Sequence, residues 1–345
     1  MREPNTGSNK KIWWIVLCSV LAILLAGAVV VTILTESALD QIQRPEDPTL
    51  SSSEIEDILN GDPANGTDPA ISEEDIDLGS DPADIIHSED LINILLIGQD
   101  ASTSADWKKS DAMILCTINK KAQTITLTSF LRDMYVQIPG HGGNKINVCY
   151  AIGGMELLDA CLEQNFGIRV DANVAVNFGG LLKLIEMAGG VDIRLTAEEA
   201  AYLNQHGNGG ITNHKGWKLK AGENSLTPEQ AMGYARLQSV GGEMERTGRQ
   251  RKVISALVEK AKSMSAAELY DLVKTGLAMI TTDMTDEEIM GLTAELIPML
   301  PGLTLANQRI PVDGSYSIQN VERIGKCAVL DFEANRKFLV DILKP

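Results

Sequence analysis

Five charged residues between positions 100 and 133 offer the chain's clearest chemistry. Asp100 and Asp111 bracket a polar stretch, Lys109 stands just before the second carboxylate, and Arg132-Asp133 closes a later apolar run. Two carboxylates held ~4 Å apart repel by roughly 4 kcal/mol at an effective dielectric of about 20. A hard cation such as Mg²⁺, which takes oxygen ligands, relieves that repulsion. Lys109 and Arg132 are then free to hold phosphate oxygens shared with the metal. The plain alternative is that Asp100 opens a polar loop and Asp111 caps a turn.

A second group lies further on. Arg246, Arg249 and Gln250 recur at i, i+3 and i+4 near the start of a helix expected over about Glu245 to Met264, so they share a face. Cations near a helix N-terminus oppose its dipole and make more sense with an anion beside them. A solvated basic face is the alternative, but Val253, Ile254 and Leu257 continue this face as an apolar stripe. Arg236 sits at the end of the preceding helix, which Thr227, Pro228 and Gln230 start by capping-box and first-turn-proline rules. Two carboxylates, several cations and apolar surface suit a metal-bound diphosphate with an apolar tail. No GxxxxGK[ST] loop is present, which argues against nucleotide hydrolysis of that type, and no Ser or Cys lies in a recognisable nucleophile motif.

The elements that must position these groups are legible in outline. Ile92 to Ile97 and Ala112 to Ile118 are almost continuously apolar, as strands covered on both faces should be. Ile125 to Leu131 alternates, with Ile125, Leu127 and Ser129 on one side and Thr124, Thr126 and Thr128 on the other. If the first two strands are neighbours, Asp100 and Asp111 meet at one rim. Helices are expected over Gly154–Phe166, after the strand Val174–Phe178, and over Ala266–Ile280, Thr285–Leu296 and Phe332–Leu343; Tyr202–Gly222 reads as loop. Val191–Leu195, Leu305–Pro311 and Lys326–Leu330 read as further strands. This alternation predicts an α/β fold, an α-β-α sandwich with a central mixed sheet covered by helices.

Ahead of that domain, Ile12 to Leu34 is 23 residues without a charge, enough to span ~30 Å of hydrocarbon. Trp13 and Trp14 suit the interface, and Lys10 and Lys11 before them place residues 1–11 in the cytoplasm and the rest outside. A cleaved signal peptide with Ala26-Gly27-Ala28 is the competing reading. Residues 35–90 hold 17 acidic side chains and one basic one, Arg44, and are predicted to form a disordered, self-repelling stalk. Residues 91–345 are close to neutral, so the basic footprint of a nucleic-acid binder is absent. None of the five cysteines forms a CxxC pair; Cys116 is expected as a buried thiol, and Cys149 and Cys161 are left open between thiols and a bridge.

Seven stretches follow in order: NILLIGQD, KSDAMILCTIN, TSFLRDMYVQIPG, KINVCYAIGG, VNFGGLLKLIEMAGGVDI, LTPEQAMGYARLQ and RTGRQRKVI. Together they resemble the LytR-CpsA-Psr family of cell-wall glycopolymer transferases, densely from Ile92 to Lys260 and loosely around DFEANRKFLVDIL. The resemblance implies an extracellular domain on a single-pass cell-membrane anchor, moving a glycopolymer-1-phosphate from an undecaprenyl diphosphate carrier to peptidoglycan. It implies Mg²⁺ on Asp100 and Asp111, a diphosphate gripped by Arg132, Arg236, Arg246 and Gln250, and Asp133 and Lys145 supporting that network; Lys109 belongs to the phosphate-binding set by its place beside Asp111. Arg249 joins the binding set through the face it shares. Asp111 or Asp133 takes the acceptor proton, a choice left open. Two residues depart from the pattern: Lys109 stands where the family usually has Arg, and Tyr234-Ala235-Arg236-Leu237-Gln238 ends a YxRxR motif in Gln. Lysine loses the bidentate fork and glutamine the charge, so an inactive polyprenyl-phosphate-binding regulator or scaffold is the alternative, and a hydrolase using water a third reading.

Overall fold

The first three strands pair as an antiparallel meander at the centre of a six-stranded sheet. The computed structural model describes residues 39–46, 50–60, 69–79, 82, 85–99, 110–207 and 216–343. In chain order the elements begin with α1 (Ser52–Leu59), β1 (Leu91–Gln99), β2 (Ser110–Asn119), β3 (Thr124–Phe130), β4 (Tyr135–Ile138), β5 (Gly142–Lys145) and α2 (Val148–Phe166). Next come β6 (Ala172–Asn177), α3 (Phe178–Met187), β7 (Val191–Leu195), α4 (Ala197–His206), β8 (Gly222–Leu226), α5 (Pro228–Arg236) and α6 (Gly242–Lys262). The rest are α7 (Ala266–Leu277), β9 (Ile280–Thr282), α8 (Asp286–Met299), β10 (Thr304–Ile310), β11 (Tyr316–Val321), β12 (Gly325–Leu330) and α9 (Phe332–Leu343).

Strand order is β10-β3-β2-β1-β6-β9, with β6 parallel to β1 and β10 parallel to β3, so the sheet is mixed. Helices cover both faces, which is why β1 and β2 are mostly apolar, with Asn93 and Thr117 hydrogen-bonded to each other inside. On one face Leu95, Ile97, Met113 and Phe130 pack with Met155, Leu158 and Leu162 of α2 and Leu339 of α9. The Phe166 ring sits between Phe130 and Phe332, at 5.4 and 5.7 Å. On the other face Ile94, Ile114, Ile125 and Leu127 pack with Ile254 and Val258 of α6 and Leu292 of α8. A third apolar group joins Ile185 of α3, Leu203 of α4 and Tyr234 of α5 to Val253 of α6. The expected capping boxes start α5 at Thr227 with Gln230 and α8 at Thr285 with Glu288.

Several expectations need correction. The described parts of the acidic segment are not a detached stalk. Leu39 and Ile42 are buried with Ile289, while Ile55, Ile58 and Leu59 of α1 pack against the main core. Bridges join Gln43 to Thr281, Ile71 to Val321 and Ile86 to Ile168, so acidic composition hid a few apolar residues spaced to meet the domain. Tyr202 to His206 is helical, because the Thr196 capping box with Glu199 starts α4 earlier. Ala266–Ile280 is split: α7 ends at Leu277, and Ile280 becomes an edge strand beside β6. Cys149 and Cys161 are buried free thiols; Cys116, expected to be buried, is a half-buried free thiol, although desolvation still pushes it up to about 12. The tail 1–11 and the apolar run 12–34 lie outside the described residues, among which no helix is long and apolar enough to cross a membrane.

Candidate active site

Sheet register brings the first pair of site residues together. Met113 of β2 faces Phe130 of β3, so Asp111 near the start of β2 and Arg132 just past β3 come level at one rim. Arg132 Nη1 donates to Asp111 Oδ1 at 2.6 Å, and its Nε lies 3.2 Å from Glu243 Oε1. Arg246 clasps the same carboxylate, donating from Nε to Glu243 Oε2 at 2.8 Å and from Nη2 to Oε1. Its Nη2 also donates to the Asp111 carbonyl at 3.4 Å. Charges therefore alternate along a chain Asp111–Arg132–Glu243–Arg246. Burial draws the Arg132 guanidinium down, but Glu243, Asp133 and Asp111 outweigh it and the net shift is upward, so the group stays charged.

Asp111, Arg132 and Arg246 line a cleft of about 220 Å³. Arg236, Gln238 and Gln250 are its other charged or amide-bearing lining residues beside Asn177, while Leu96, Ile97, Val176, Leu181, Met232 and Ile254 make much of the wall apolar. Arg236, the last residue of α5, holds its guanidinium 4.7 Å over the Phe178 ring, a cation–π contact across the cleft wall. A few polar groups in a largely apolar cleft orient a ligand whose remainder is greasy.

The other expected site residues are placed differently. Asp133 lies 3.8 Å from Arg132 Nε and pairs with Lys145 at 3.2 Å; neither lines the cleft. Arg249 is turned away altogether: only 2% exposed, it donates to Glu199 at 2.8 Å and to the Leu237 carbonyl at 2.6 Å. Spacing of i and i+3 still leaves roughly 60° between two helical side chains, and Arg249 falls on the interior side of that arc. Lys109 and Asp100 lie outside the described residues. β1 and β2 are neighbours nonetheless, with Gln99 level with Ser110. Sequence reasoning missed Glu243 and Phe178. It began α6 at Glu245, whereas Gly241 and Gly242, both at positive φ, turn the chain so that Glu243 falls in the first helical turn.

For a divalent metal the donor set is partial. Asp111 gives one oxygen to Arg132 and keeps the second, and Mg²⁺ asks for only one or two carboxylates beside water and substrate oxygens. Asp111 fits that demand, although no group of three metal-ligating residues occurs among the described residues.

The LytR_cpsA_psr family model matches residues 58–323, more than three quarters of the chain. The chain belongs to the LytR-CpsA-Psr family. Among its relatives is the polyisoprenyl-teichoic acid–peptidoglycan teichoic acid transferase TagT of Bacillus subtilis, 31% identical over 188 residues. That alignment covers 53% of this chain and 56% of TagT, little more than half of the relative's length. Regulatory protein MsrR of Staphylococcus aureus is 26% identical over 264 residues, 75% of this chain and 76% of that one. A structure described as a LytR-CPS2A-psr family protein, TagT, with bound octaprenyl pyrophosphate lipid superposes with a TM-score of 0.56 at 24% identity, covering 78% of this chain and 99% of that one. At that identity the superposition shows a shared LytR-CpsA-Psr fold.

Proposed function

We propose that this chain is a membrane-anchored phosphotransferase that moves a glycopolymer-1-phosphate from a polyprenyl diphosphate carrier to peptidoglycan, outside the cell membrane. The observation that carries the reading is a cleft lined by Arg132, Arg236 and Arg246 together with a largely apolar wall. Such a cleft accepts a diphosphate at its arginines and a prenyl chain along its apolar wall. The names borne by relatives, a teichoic acid transferase and an octaprenyl pyrophosphate complex, support the same chemistry. The anchor is the apolar run 12–34, with residues 1–11 cytoplasmic.

In this reading the acceptor hydroxyl oxygen bonds to the phosphorus next to the polymer. The bridging P–O bond breaks, and polyprenyl monophosphate leaves. Arg132, Arg246 and Arg236 hold the non-bridging oxygens, and Gln250 adds a neutral donor beside them. The hydroxyl proton goes to Asp111, the carboxylate inside the cleft, since Asp133 lies outside it paired with Lys145. Mg²⁺ would be held by Asp111 with Asp100 and would neutralise charge on the diphosphate oxygens. Gln238, an uncharged residue in the cleft where the family usually has arginine, favours one second reading: a lipid-binding regulator without turnover.

The test is transfer by the detergent-solubilised full chain from a polyprenyl-diphosphate sugar to peptidoglycan fragments, with mass spectrometry of products and of co-purified lipid. Wild type should yield sugar-phosphate on the fragment and free polyprenyl phosphate, and Asp111→Asn should abolish both. Bound polyprenyl lipid without product would establish the regulator. Neither lipid nor product would end the polyprenyl reading.

A further inference from the structure

Arg251 is one residue past Gln250 and about 100° round α6 from it, so it leaves the cleft and faces the edge of the sheet. It is only 8% exposed, yet its Nε and Nη1 reach no hydrogen-bond acceptor. Charged donors buried without an acceptor are strongly disfavoured. Ser255, one turn later on the same face, shares a hydrogen bond with Asn307 of β10 at 3.3 Å. Arg309 is two residues beyond Asn307 and hence on the same face of β10. It therefore stands opposite Arg251 across the gap between helix and strand. Burial first, and then the Arg309 charge, draw the Arg251 guanidinium down to about 10, with Glu245 opposing in part.

The floor of this gap supplies a third donor. Ser129 of β3 is level with Arg309 and shares its face with Ile125 and Leu127, which pack under Ile254 and Val258 of α6. Its Oγ is buried with no partner. At the mouth, Arg309 pairs with Asp313, whose side chain is 87% exposed. Two guanidinium groups and a hydroxyl thus lie on the facing surfaces of α6, β10 and β3. Donors without acceptors repel a cation and suit an anion with several oxygens, for which the guanidinium fork is shaped.

We infer that Arg251, Arg309 and Ser129 form a second binding site, for a phosphate group, on the flank of α6 turned toward β10. Asp313 pairs with Arg309 when the site is empty and gives up that pairing when phosphate enters. The phosphate is either the free ion or a phosphodiester of a polymer; only the second source rests on the transferase reading, and the site itself does not.

The experiment is a titration of the full chain, in detergent, with inorganic phosphate against chloride at equal ionic strength, following the ¹⁵N-labelled arginine Nε–H resonances. The Arg251 resonance should shift saturably, and should do so equally in Arg246→Ala, which disables only the cleft. Arg309→Gln, a partly exposed change at the strand edge, should weaken the response about tenfold, as loss of one charge-assisted hydrogen bond does. Asp313→Asn should tighten it a few-fold, on the order of one exposed ion pair. A resonance that does not move, or a response lost in Arg246→Ala and kept in Arg309→Gln, would overturn the site. A poly(glycerol phosphate) oligomer that acts at lower phosphate concentration than the free ion, and loses that advantage in Arg309→Gln, would identify the polymer as the source. Equal potency would identify the free ion.

Discussion

Two arginines on α6, Arg246 and Arg249, each hold a carboxylate, and the two pairs differ in almost every other respect. Arg249 pairs with Glu199, fifty positions away on α4, with side chains 3% and 4% exposed. Glu199 also accepts from the Thr196 amide at 2.8 Å, and Tyr234 lies beside the guanidinium at 5.9 Å. Arg246 pairs with Glu243 on its own helix, at the wall of a cleft, and Glu243 is shared with Arg132. The first pair is locked from every side and joins α4, α5 and α6. The second is less deeply enclosed, with side chains 10% and 16% exposed, and its arginine lines the cleft. Of these two arginines only Arg246 lines the cleft, so we read the Arg249 pair as structural and propose the Arg246 pair for ligand binding.

The largest effect that tests this contrast is on stability. Arg249→Met strands Glu199 in the interior, and removing one partner of a buried pair costs roughly 3–5 kcal/mol. Urea denaturation should show that loss, while binding by the protein that remains folded stays within a few-fold of the parent. The pair also has a pH signature. Burial raises the Glu199 carboxyl, but the Thr196 amide and Arg249 outweigh it and the net shift is downward from 4.5. Its contribution is therefore fully present above about pH 4.5 and lost as pH falls through the lower folded value. Glu199→Gln should flatten that acid limb; an unchanged limb would show that the pair is not what acid breaks.

Arg246→Ala should do the reverse. Stability should fall by less than in Arg249→Met, because Arg132 still pairs with Glu243, while affinity for a short-chain polyprenyl diphosphate falls about ten- to a hundredfold, following the roughly 1.5–3 kcal/mol of a charge-assisted hydrogen bond. Calorimetry at ~0.15 M salt, where surface charge is screened, would expose a merely solvated face as parent-like binding. Glu243→Gln comes next in size. If the carboxylate holds the place of a phosphate oxygen, its neutral isostere should bind the diphosphate a few-fold tighter, by about 1 kcal/mol or less. Weaker binding would show that Glu243 instead positions Arg132 and Arg246. The smallest change is expected from Gln238→Arg, which returns a charge to the cleft lining and should leave affinity equal or modestly higher. A clear loss would mean that the cleft has been reshaped around glutamine.

The sequence by itself determined the sheet's interior strands, because covered strands must be apolar on both faces and β1 and β2 read that way. It also determined the starts of α5 and α8, since a capping box is local chemistry within four residues. Asp111, Arg132, Arg236, Arg246 and Gln250 were legible as a group because the ordered motifs fix them in relation to one another. Only the tertiary structure decided that Arg249 leaves the site, since that depends on Glu199 arriving from another helix. It likewise decided that Lys145 pairs with Asp133 rather than lining the cleft. The segment before β1 makes the same point more broadly. Its average composition argues for disorder, but Leu39, Ile42, Ile55 and Ile58 find apolar partners distant in sequence, and burial is set by those partners and not by the neighbours along the chain.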